Sequence, residues 1–353
     1  MARLRKTLPK NFDETVAGGD PDAIIDILKK CEPDARYGAY DDRTALMNPM
    51  LPDAVVRWLV TEYGADVNCV CEDGKTPLSA AVRRPEAMER LVALGADVNF
   101  QRDGSPTALI AAAMVFRADS VRELLRLGAD AHMTFSPGFG RERRNALEEA
   151  LARCANANLP QMAELAEVLL DAGVESTDGM KRQVTRLGEQ FEFYRDSFDP
   201  GYLPVCDAAL QKLYSLFDVP PVPPRQKYDG SAPITVKGKT WVQQYHELWD
   251  RLVPGSGRAA YVQGEAIRLI GRLSHEVLDN GGANWDADFR AMRDTLADIL
   301  ATGQPAAESV RASVRSISAG TEEKTFSEIA RAVVAWILAN PMPVALGDVP
   351  YRR

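Results

Sequence analysis

The five residues GADVN occur at 64–68 and again at 95–99, and the related GADAH follows at 128–132. The first glycines of these segments are 31 and then 33 residues apart, and Gly173 in LLDAGVE comes 45 residues later. A segment that recurs at this period predicts an array of similar units. Each unit of about 30 residues is too small to bury a core alone and has to stack on its neighbours.

A second marker keeps the same phase as these glycines. It reads RTALM from Arg43, KTPLSAA from Lys75, PTALIAA from Pro106 and NALEEA from Asn145. Because the two markers move together along the chain, we infer four successive units. Their approximate bounds are 38–70, 71–101, 102–136 and 137–175.

The second unit shows how each one is built. Asp73 and Gly74 predict a turn, and Thr76 can cap a helix in which Pro77 takes the first position. A second helix over 86–94 carries an apolar stripe, and the glycine after it is expected to adopt the left-handed conformation that ends a helix. Each unit is therefore predicted to be a pair of helices, joined to the next pair by a hairpin.

This pattern resembles the ankyrin repeat, in which DGxTPLxxA is followed by LLxxGADxN. The likeness is closest in the two middle units. The first unit has MNPM where alanines are usual, and the fourth is lengthened at 136–144 and 154–160. The resemblance implies an all-α solenoid of helix pairs with short β-hairpin loops over 38–175, preceded by an N-terminal cap at 1–37 that includes a helix over 20–30.

The rest of the chain predicts more helices. Two of them, over 180–198 and 203–219, are expected to close the end of the solenoid within a segment that spans 176–219. The prolines of 220–227 predict a linker, and 228–353 predict a second all-helical domain.

Within that domain, small residues on one face of a helix over 259–279 include Gly264 and Gly271. They predict close approach of a neighbouring helix. Asn284 is expected to cap the helix that follows. Pro341 and Pro343 are expected to keep the final residues out of the last helix.

The stretches LYSLFDVPPVPPR (213–225) and AAYVQGEAIRLIGRLSHEVLDNGGANWDADF (259–289) are similar to a module of uncharacterised bacterial proteins, some of which carry ankyrin repeats in front of it. The resemblance implies a bacterial origin and the domain boundary near 220. It implies no activity.

Charge favours a protein partner over nucleic acid. Residues 1–176 carry 21 Lys and Arg against 28 Asp and Glu, whereas residues 177–353 carry 21 against 22. Phosphates would be repelled by the acidic half. We therefore expect a basic protein partner and no nucleic acid.

The composition predicts no membrane segment, metal or cofactor. No window approaches the roughly 18 apolar residues that span a bilayer, and the first residues lack the apolar run of a secretory signal, so we expect a cytoplasmic protein. The five cysteines form no paired CxxC pattern, which favours reduced thiols. Cys69 and Cys71 lack nearby residues that would complete a metal site.

The ankyrin resemblance implies that hairpin tips and inner helices dock a protein. Aromatic and arginine side chains are the usual anchors of such interfaces. The predicted contact residues are Phe100, Gln101, Arg102, Asp103, Phe135, Phe139, Arg141, Arg143 and Arg144 in the hairpins, and Arg83, Arg84, Phe116 and Arg117 on the inner helices. An alternative is that the loop 136–144 folds over its own unit.

A negative rim is predicted beside these residues. It consists of Asp41, Asp42, Glu72 and Asp73. Such a rim would speed the encounter with a basic partner.

The C-terminal domain offers a second candidate site. Its members are Gln263, Glu265, Arg268, His275 and Asp279. His275 and Asp279 share a helix face, but neither His275 nor His246 begins an HExxH motif. Glu265 and Arg268 are spaced to pair with each other, so a structural role accounts for them equally well.

The sequence thus predicts a non-enzymatic binding protein. Its sharpest form is a bacterial immunity protein or antitoxin that docks onto a toxin and neutralises it. Two alternatives stay open: a C-terminal enzyme or ligand-binding domain that the repeats target to its place of action, and a scaffold for two partners. Sequence does not fix the oligomeric state.

Overall fold

The computed structural model describes residues 3–38, 40–102, 104–136, 138 and 142–353. The chain divides into two compact units. The first comprises Met1–Gly188 with Gly201–Pro221, and the second comprises Glu189–Pro200 with Val222–Arg353. Helices make up most of the regular structure in the described residues, which confirms the all-α fold class. Our finer division into cap, repeats, linker and second domain stays a prediction.

The first unit begins with two short parallel strands, and two helices lie between these strands along the chain. Its elements are β1 (Arg5–Thr7), α1 (Phe12–Gly18), α2 (Pro21–Leu28) and β2 (Cys31–Arg36). Asp20 caps α2, because its side chain accepts a hydrogen bond from the backbone N–H of Asp22 at 3.0 Å. The predicted N-terminal helix is therefore present. The sheet was not predicted, because the three exposed residues of β1 carry no alternating apolar pattern.

Four helix pairs follow, each with an inner segment and an outer helix. In chain order they are a 3-10 turn (Ala45–Met47) with α3 (Asp53–Thr61), α4 (Pro77–Ala80) with α5 (Pro85–Ala93), α6 (Ala108–Met114) with α7 (Ala118–Arg126), and α8 (Ala146–Arg153) with α9 (Leu159–Asp171). Helix α6 packs against α4 and α8, and α7 packs against α5 and α9. The apolar faces that no single pair could bury are thus covered by the neighbouring pairs.

The helix ends follow from local chemistry. Thr76 and Ser79 form a capping box in which each side chain accepts a hydrogen bond from the other's backbone N–H, at 3.2 and 2.8 Å. Pro77 takes the first helical position, where its missing N–H costs nothing. Gly95 has a φ of 100°, the left-handed region that favours glycine. These three predictions are confirmed.

Asparagine side chains join one pair to the next. The amide nitrogen of Asn68 donates to the carbonyl of Gly95 at 3.3 Å, and its oxygen accepts from the backbone N–H of Asp97 at 2.8 Å. Asn99 repeats both bonds with the next GAD segment, 128–130, at 3.2 and 2.8 Å. The last residue of GADVN therefore binds the first and third residues of the following copy. His132 takes this position in the third copy.

Two more helices complete the first unit and lead into the second. They are α10 (Asp178–Tyr194) and α11 (Leu203–Phe217), close to the predicted ranges. Helix α11 packs against α9. Residues of α10 up to Gly188 belong to the first unit and the remainder to the second.

The second unit is organised around one helix. Its helices are α12 (Trp241–Leu252), α13 (Val262–Leu278), α14 (Ala287–Ile299), α15 (Glu308–Arg315) and α16 (Glu323–Ala339). Helix α13 packs against α12, α14 and α16, and it contributes the fully buried Ile267 and Leu273. Thr240 caps α12 in a capping box with Gln243, as predicted.

The predicted cap of α14 is wrong. The helix begins two residues later than expected, and the side chain of Asp286 accepts from the backbone N–H of Phe289 at 3.1 Å. Asn284 instead gives its backbone N–H to the buried carboxylate of Glu276 at 2.6 Å. Asn and Asp cap helices about equally well, so the sequence alone does not distinguish Asn284 from Asp286 as the cap. The buried carboxylate of Glu276 requires hydrogen-bond donors, and Asn284 supplies one of them.

The last residues form an extended segment. Helix α16 ends at Ala339, as the following prolines predicted. The segment then runs beside the start of α13, with the backbone N–H of Val262 donating to Val344 at 2.8 Å and that of Leu346 donating to Ala260 at 3.0 Å. We call residues 341–353 the tail.

Two glycines let other groups approach α13 closely. A methyl group at Gly264 would lie 2.8 Å from the carbonyl oxygen of Leu252 and 3.0 Å from the Cβ of Ala259. At Gly271 it would collide with the ring of Trp249. The prediction that small residues on this helix permit close packing is confirmed.

We expect Gly264→Ala to destabilise the second unit. Helix propensity alone would stabilise the variant by about 1 kcal/mol. The collision with a backbone oxygen outweighs this gain, since overpacking costs about 1–3 kcal/mol. Urea unfolding followed by tryptophan fluorescence measures the effect, because Trp241, Trp249, Trp285 and Trp336 lie in this unit and only Trp58 lies in the other. Gly320→Ala is the control, since nothing lies within 4 Å of its added methyl. A more stable Gly264→Ala protein would contradict the packing argument.

Candidate functional site

The loops between successive helix pairs line a groove on the first unit. Its volume is about 660 Å³. Residues from four loops contribute to it, among them Arg36, Asp42, Glu72, Asp73, Arg102 and Ser136. We call this the loop groove.

Neighbouring loops are tied to one another. Arg36 donates to the carboxylate of Asp42 at 3.1 Å and to the carbonyl of Val70 at 3.2 Å, and Asp42 also accepts from the backbone N–H of Glu72. The amide of Gln101 bridges onward, donating to the carbonyl of Thr134 at 2.9 Å. These bonds join the first loop to the second and the third to the fourth.

Gly74 brings the second and third loops together. Its φ is 79°, and an added methyl would lie 2.8 Å from the Cβ of Ser105. Any other residue would both strain the backbone and push the loops apart. Together with the bonds described above, this close approach predicts a preformed groove.

The carboxylates of Asp41 and Asp73 stay ionised at neutral pH. A hydrogen bond from Arg43 lowers the pKa of Asp41. Burial alone would raise the pKa of Asp73, but the hydrogen bonds from Cys71 and Lys75 outweigh it and the pKa is lowered. The first two loops therefore present carboxylates, while Arg143 and Arg144 follow at the fourth.

The predicted contact residues differ in exposure. Those that are exposed are Arg83, Arg102 and Arg143, and those that are partly buried are Arg84, Phe100, Gln101, Phe116, Arg117 and Arg144. Asp103, Phe139 and Arg141 lie outside the described residues. Of the exposed and partly buried side chains, the structure brings Arg102 into the loop groove.

Phe135 is not available to a partner. Only 4% of the residue is exposed, and its backbone exchanges hydrogen bonds with Arg144 at 2.9 and 3.0 Å. The ring of Phe135 therefore lies in the interior of the first unit. Phe135 is therefore removed from the predicted surface.

The assignment of four residues to the inner helices is also wrong. Helix α4 ends at Ala80 and α6 ends at Met114, so Arg83, Arg84, Phe116 and Arg117 lie in the turns between inner and outer helices. Arg84 donates to the carbonyl of Pro49 at 3.2 Å, and Arg117 pairs with Asp119 at 2.6 Å. The inner helices are shorter than the sequence suggested, and these turns lie at the opposite end of each inner helix from the loop groove.

Tyr40 is a contact candidate that the sequence did not reveal. It sits in the first loop, and its side chain is fully exposed. An exposed aromatic ring in a loop is the signal that singled out Phe100. The repeat pattern does not single out Tyr40, because the first unit departs most from that pattern.

The C-terminal candidates separate into two groups. Gln263, Glu265 and Arg268 are at most 3% exposed. The amide nitrogen of Gln263 donates to the carbonyls of Asn340 and Met342 at 2.9 and 2.6 Å.

Glu265 forms the centre of this network. It accepts two hydrogen bonds from Arg268 at 2.9 and 2.6 Å, and one from the hydroxyl of Tyr351 at 2.5 Å. Arg268 also donates to the carbonyl of Arg353 at 3.1 Å. These hydrogen bonds hold the tail in place, which supports the structural role for the trio.

His275 and Asp279 form an exposed pair. The imidazole Nδ1 lies 2.7 Å from a carboxylate oxygen of Asp279, and both side chains are 67% exposed. In the part of the chain that the structure describes, no three His, Cys, Asp or Glu side chains are grouped as a metal site would require.

Burial raises the pKa of Cys69 to about 11, so this thiol is protonated at neutral pH.

Comparison with known proteins identifies one segment of the first unit. Residues 45–135 match the family model for ankyrin repeats, in three copies. This segment consists of ankyrin repeats, and it covers the first three helix pairs. No curated protein matches the chain. The fourth pair as a further repeat, and the likeness of 259–289 to a bacterial module, stay predictions. None of the described helices combines the length and apolarity that crossing a bilayer requires.

We expect Glu265→Gln to destabilise the second unit by about 3 kcal/mol, because it leaves the buried guanidinium of Arg268 without a charged partner. Burial alone would raise the pKa of Glu265, but its hydrogen bonds outweigh this and lower it. The carboxylate therefore contributes stability that is fully present above the ordinary glutamate pKa, and that contribution is lost as the pH falls through the lower folded value.

Urea unfolding at pH 7 and at several values down to pH 3 measures both effects. The variant should lose less stability on acidification than the parent protein does. Glu328→Gln, at an exposed position of α16, is the matched control and should behave like the parent. Equal stability of Glu265→Gln and Glu328→Gln would contradict the assigned network.

Proposed function

We propose that the first unit binds a basic protein through the loop groove, and that the chain acts by this binding and not by catalysis. Ankyrin repeats are protein-interaction modules whose stacked units present an extended binding surface. The observation that carries the proposal is the mutual bonding of neighbouring loops through Arg36, Asp42 and Gln101. A preformed surface loses little conformational entropy when a partner docks.

Charge supports the choice of partner. The acidic residues of the first two loops flank the groove, and residues 1–176 are acidic as a whole. Such a surface attracts a basic protein over a distance of about 10 Å at moderate salt. Tyr40 adds an exposed aromatic ring of the type that anchors interfaces.

In its sharpest form the proposal is a bacterial immunity protein or antitoxin. Occlusion of a toxin's active site needs a rigid acidic surface and no chemistry from the inhibitor. The motivation is the acidic groove and the implied bacterial origin. Two other roles are an adaptor that delivers the second unit and a scaffold for two partners. In both roles the captured protein would keep its activity when it is bound.

The first experiment identifies the partner. The full chain serves as bait in cells of the source organism, with chemical crosslinking to preserve weak complexes. The antitoxin form predicts a basic partner whose toxic activity falls to zero at one equivalent of the chain. A partner that keeps its full activity when bound would overturn the antitoxin form and favour an adaptor or a scaffold.

The second experiment tests the surface. We expect Tyr40→Ala and Glu72→Lys each to weaken binding of the captured partner by at least about tenfold. The first removes an exposed aromatic ring of the first loop, and the second reverses a charge in the loop groove. Arg57→Ala is the control, since Arg57 is exposed on the outer helix α3. Calorimetry or interferometry gives the dissociation constants. Unchanged affinity in both variants would show that the partner binds elsewhere.

A further inference from the structure

A second groove opens on the second unit, beside α12 and α13. Its volume is about 840 Å³, within the range of small-molecule sites. One wall is aromatic and contains Tyr194, Tyr245 and Trp249. The rings of Tyr245 and Trp249 stack with their centroids 6.1 Å apart.

Gly271 makes this wall possible. A side chain there would collide with the ring of Trp249 and would come within 3.0 Å of the hydroxyl of Tyr245. A glycine inside a helix costs about 1 kcal/mol relative to alanine. Here it leaves room for two aromatic rings to lie against α13.

Two guanidinium groups line the same groove. Arg353 lies over the ring of Phe289 at 4.9 Å and pairs with Asp286 at 2.5 Å. Arg272 is exposed, and among the described residues no carboxylate lies within ion-pair distance of it. Burial lowers the pKa of Arg272, and the positive charges of Arg268 and Arg353 lower it further. The carboxylate of Glu265 acts in the opposite direction and raises it.

The acidic groups of the groove already have partners. Glu276 accepts hydrogen bonds from Asn280 at 3.1 Å and from Asn284 at 2.6 Å, and Asp279 is bonded to His275. Their negative charge is thus partly compensated. Of the arginines that line the groove, Arg272 is the one to which the described residues offer no carboxylate partner.

The hydroxyl of Tyr245 is a second group to which the described residues offer no hydrogen bond. Burial raises the pKa of Tyr245 to about 12, so the hydroxyl keeps its proton and acts as a donor. A cation and a neutral donor beside an aromatic wall suit one kind of ligand: a flat ring that carries a negative group.

We propose that this groove binds a small molecule in which an anionic group is attached to, or lies close to, a planar ring, with a nucleoside phosphate as the test case. The guanidinium of Arg272 would take the phosphate through paired N–H donors. The ring would lie against Tyr245 and Trp249. The proposal is independent of protein binding by the first unit, which uses other residues.

Binding is tested with the full chain by calorimetry and by quenching of tryptophan fluorescence. The probes are ADP, GDP and UDP, with adenosine and inorganic phosphate as the separate halves of the ligand. We expect at least one nucleotide to bind saturably and at least tenfold more tightly than either half. If none of the three binds at millimolar concentration, or if phosphate alone binds as tightly as every nucleotide, the proposal is wrong.

Variants locate the site. Arg272→Gln should weaken nucleotide binding at least tenfold, and Tyr245→Phe should weaken it severalfold. The thermal midpoint of Arg272→Gln should stay unchanged, because the described residues form no ion pair with Arg272 that the substitution could remove. Arg290→Gln is the matched control, since Arg290 is an exposed arginine on α14 that does not line the groove. Unchanged binding in Arg272→Gln, or an equal loss in Arg290→Gln, would overturn the assignment.

Discussion

The bond between the asparagine at the end of one GADVN segment and the backbone of the next holds the first unit in register. A helix pair of about 30 residues cannot bury its own apolar face, so its stability depends on the pair beside it. Asn68 and Asn99 each provide one donor and one acceptor to that neighbour. They fix the separation of successive pairs, and with it the separation of the loops that begin each pair.

The loop groove follows from this spacing. Once the pairs are held at a fixed distance, Arg36, Asp42 and Gln101 can bridge neighbouring loops, and Gly74 lets two of them touch. The same bonds that stabilise the loops leave carboxylates and Tyr40 on the outside. The carboxylate of Asp42 thus stabilises the loops, whereas Glu72 and Tyr40 are exposed for the proposed binding. Arg84 and Arg117, which looked suited to a partner, form hydrogen bonds within the fold instead.

The second unit is stabilised in a different way, since it contains no repeated helix pairs that could stack on one another. It buries charged groups and satisfies them with each other and with the tail, around Glu265 and Arg268. A buried pair of this kind is favourable only when its hydrogen bonds are complete. Arg272 lies one helical turn further along α13 without such a partner, and this contrast distinguishes a structural arginine from a candidate for ligand binding.

The sequence by itself determined the period of the repeats, the capping residues Thr76 and Thr240, the glycine at the end of each outer helix and the all-α fold class. These features depend on residues close together in the chain, where helix geometry and backbone conformation are local. Only the tertiary structure decided that Phe135 turns inward, that Asn284 serves Glu276 and not a helix end, and that Glu265 and Arg268 hold the tail. Each of these outcomes depends on which distant groups meet: Arg268 and its acceptor Arg353 are 85 residues apart. Burial and hydrogen bonding between such residues follow from packing, which no local pattern encodes.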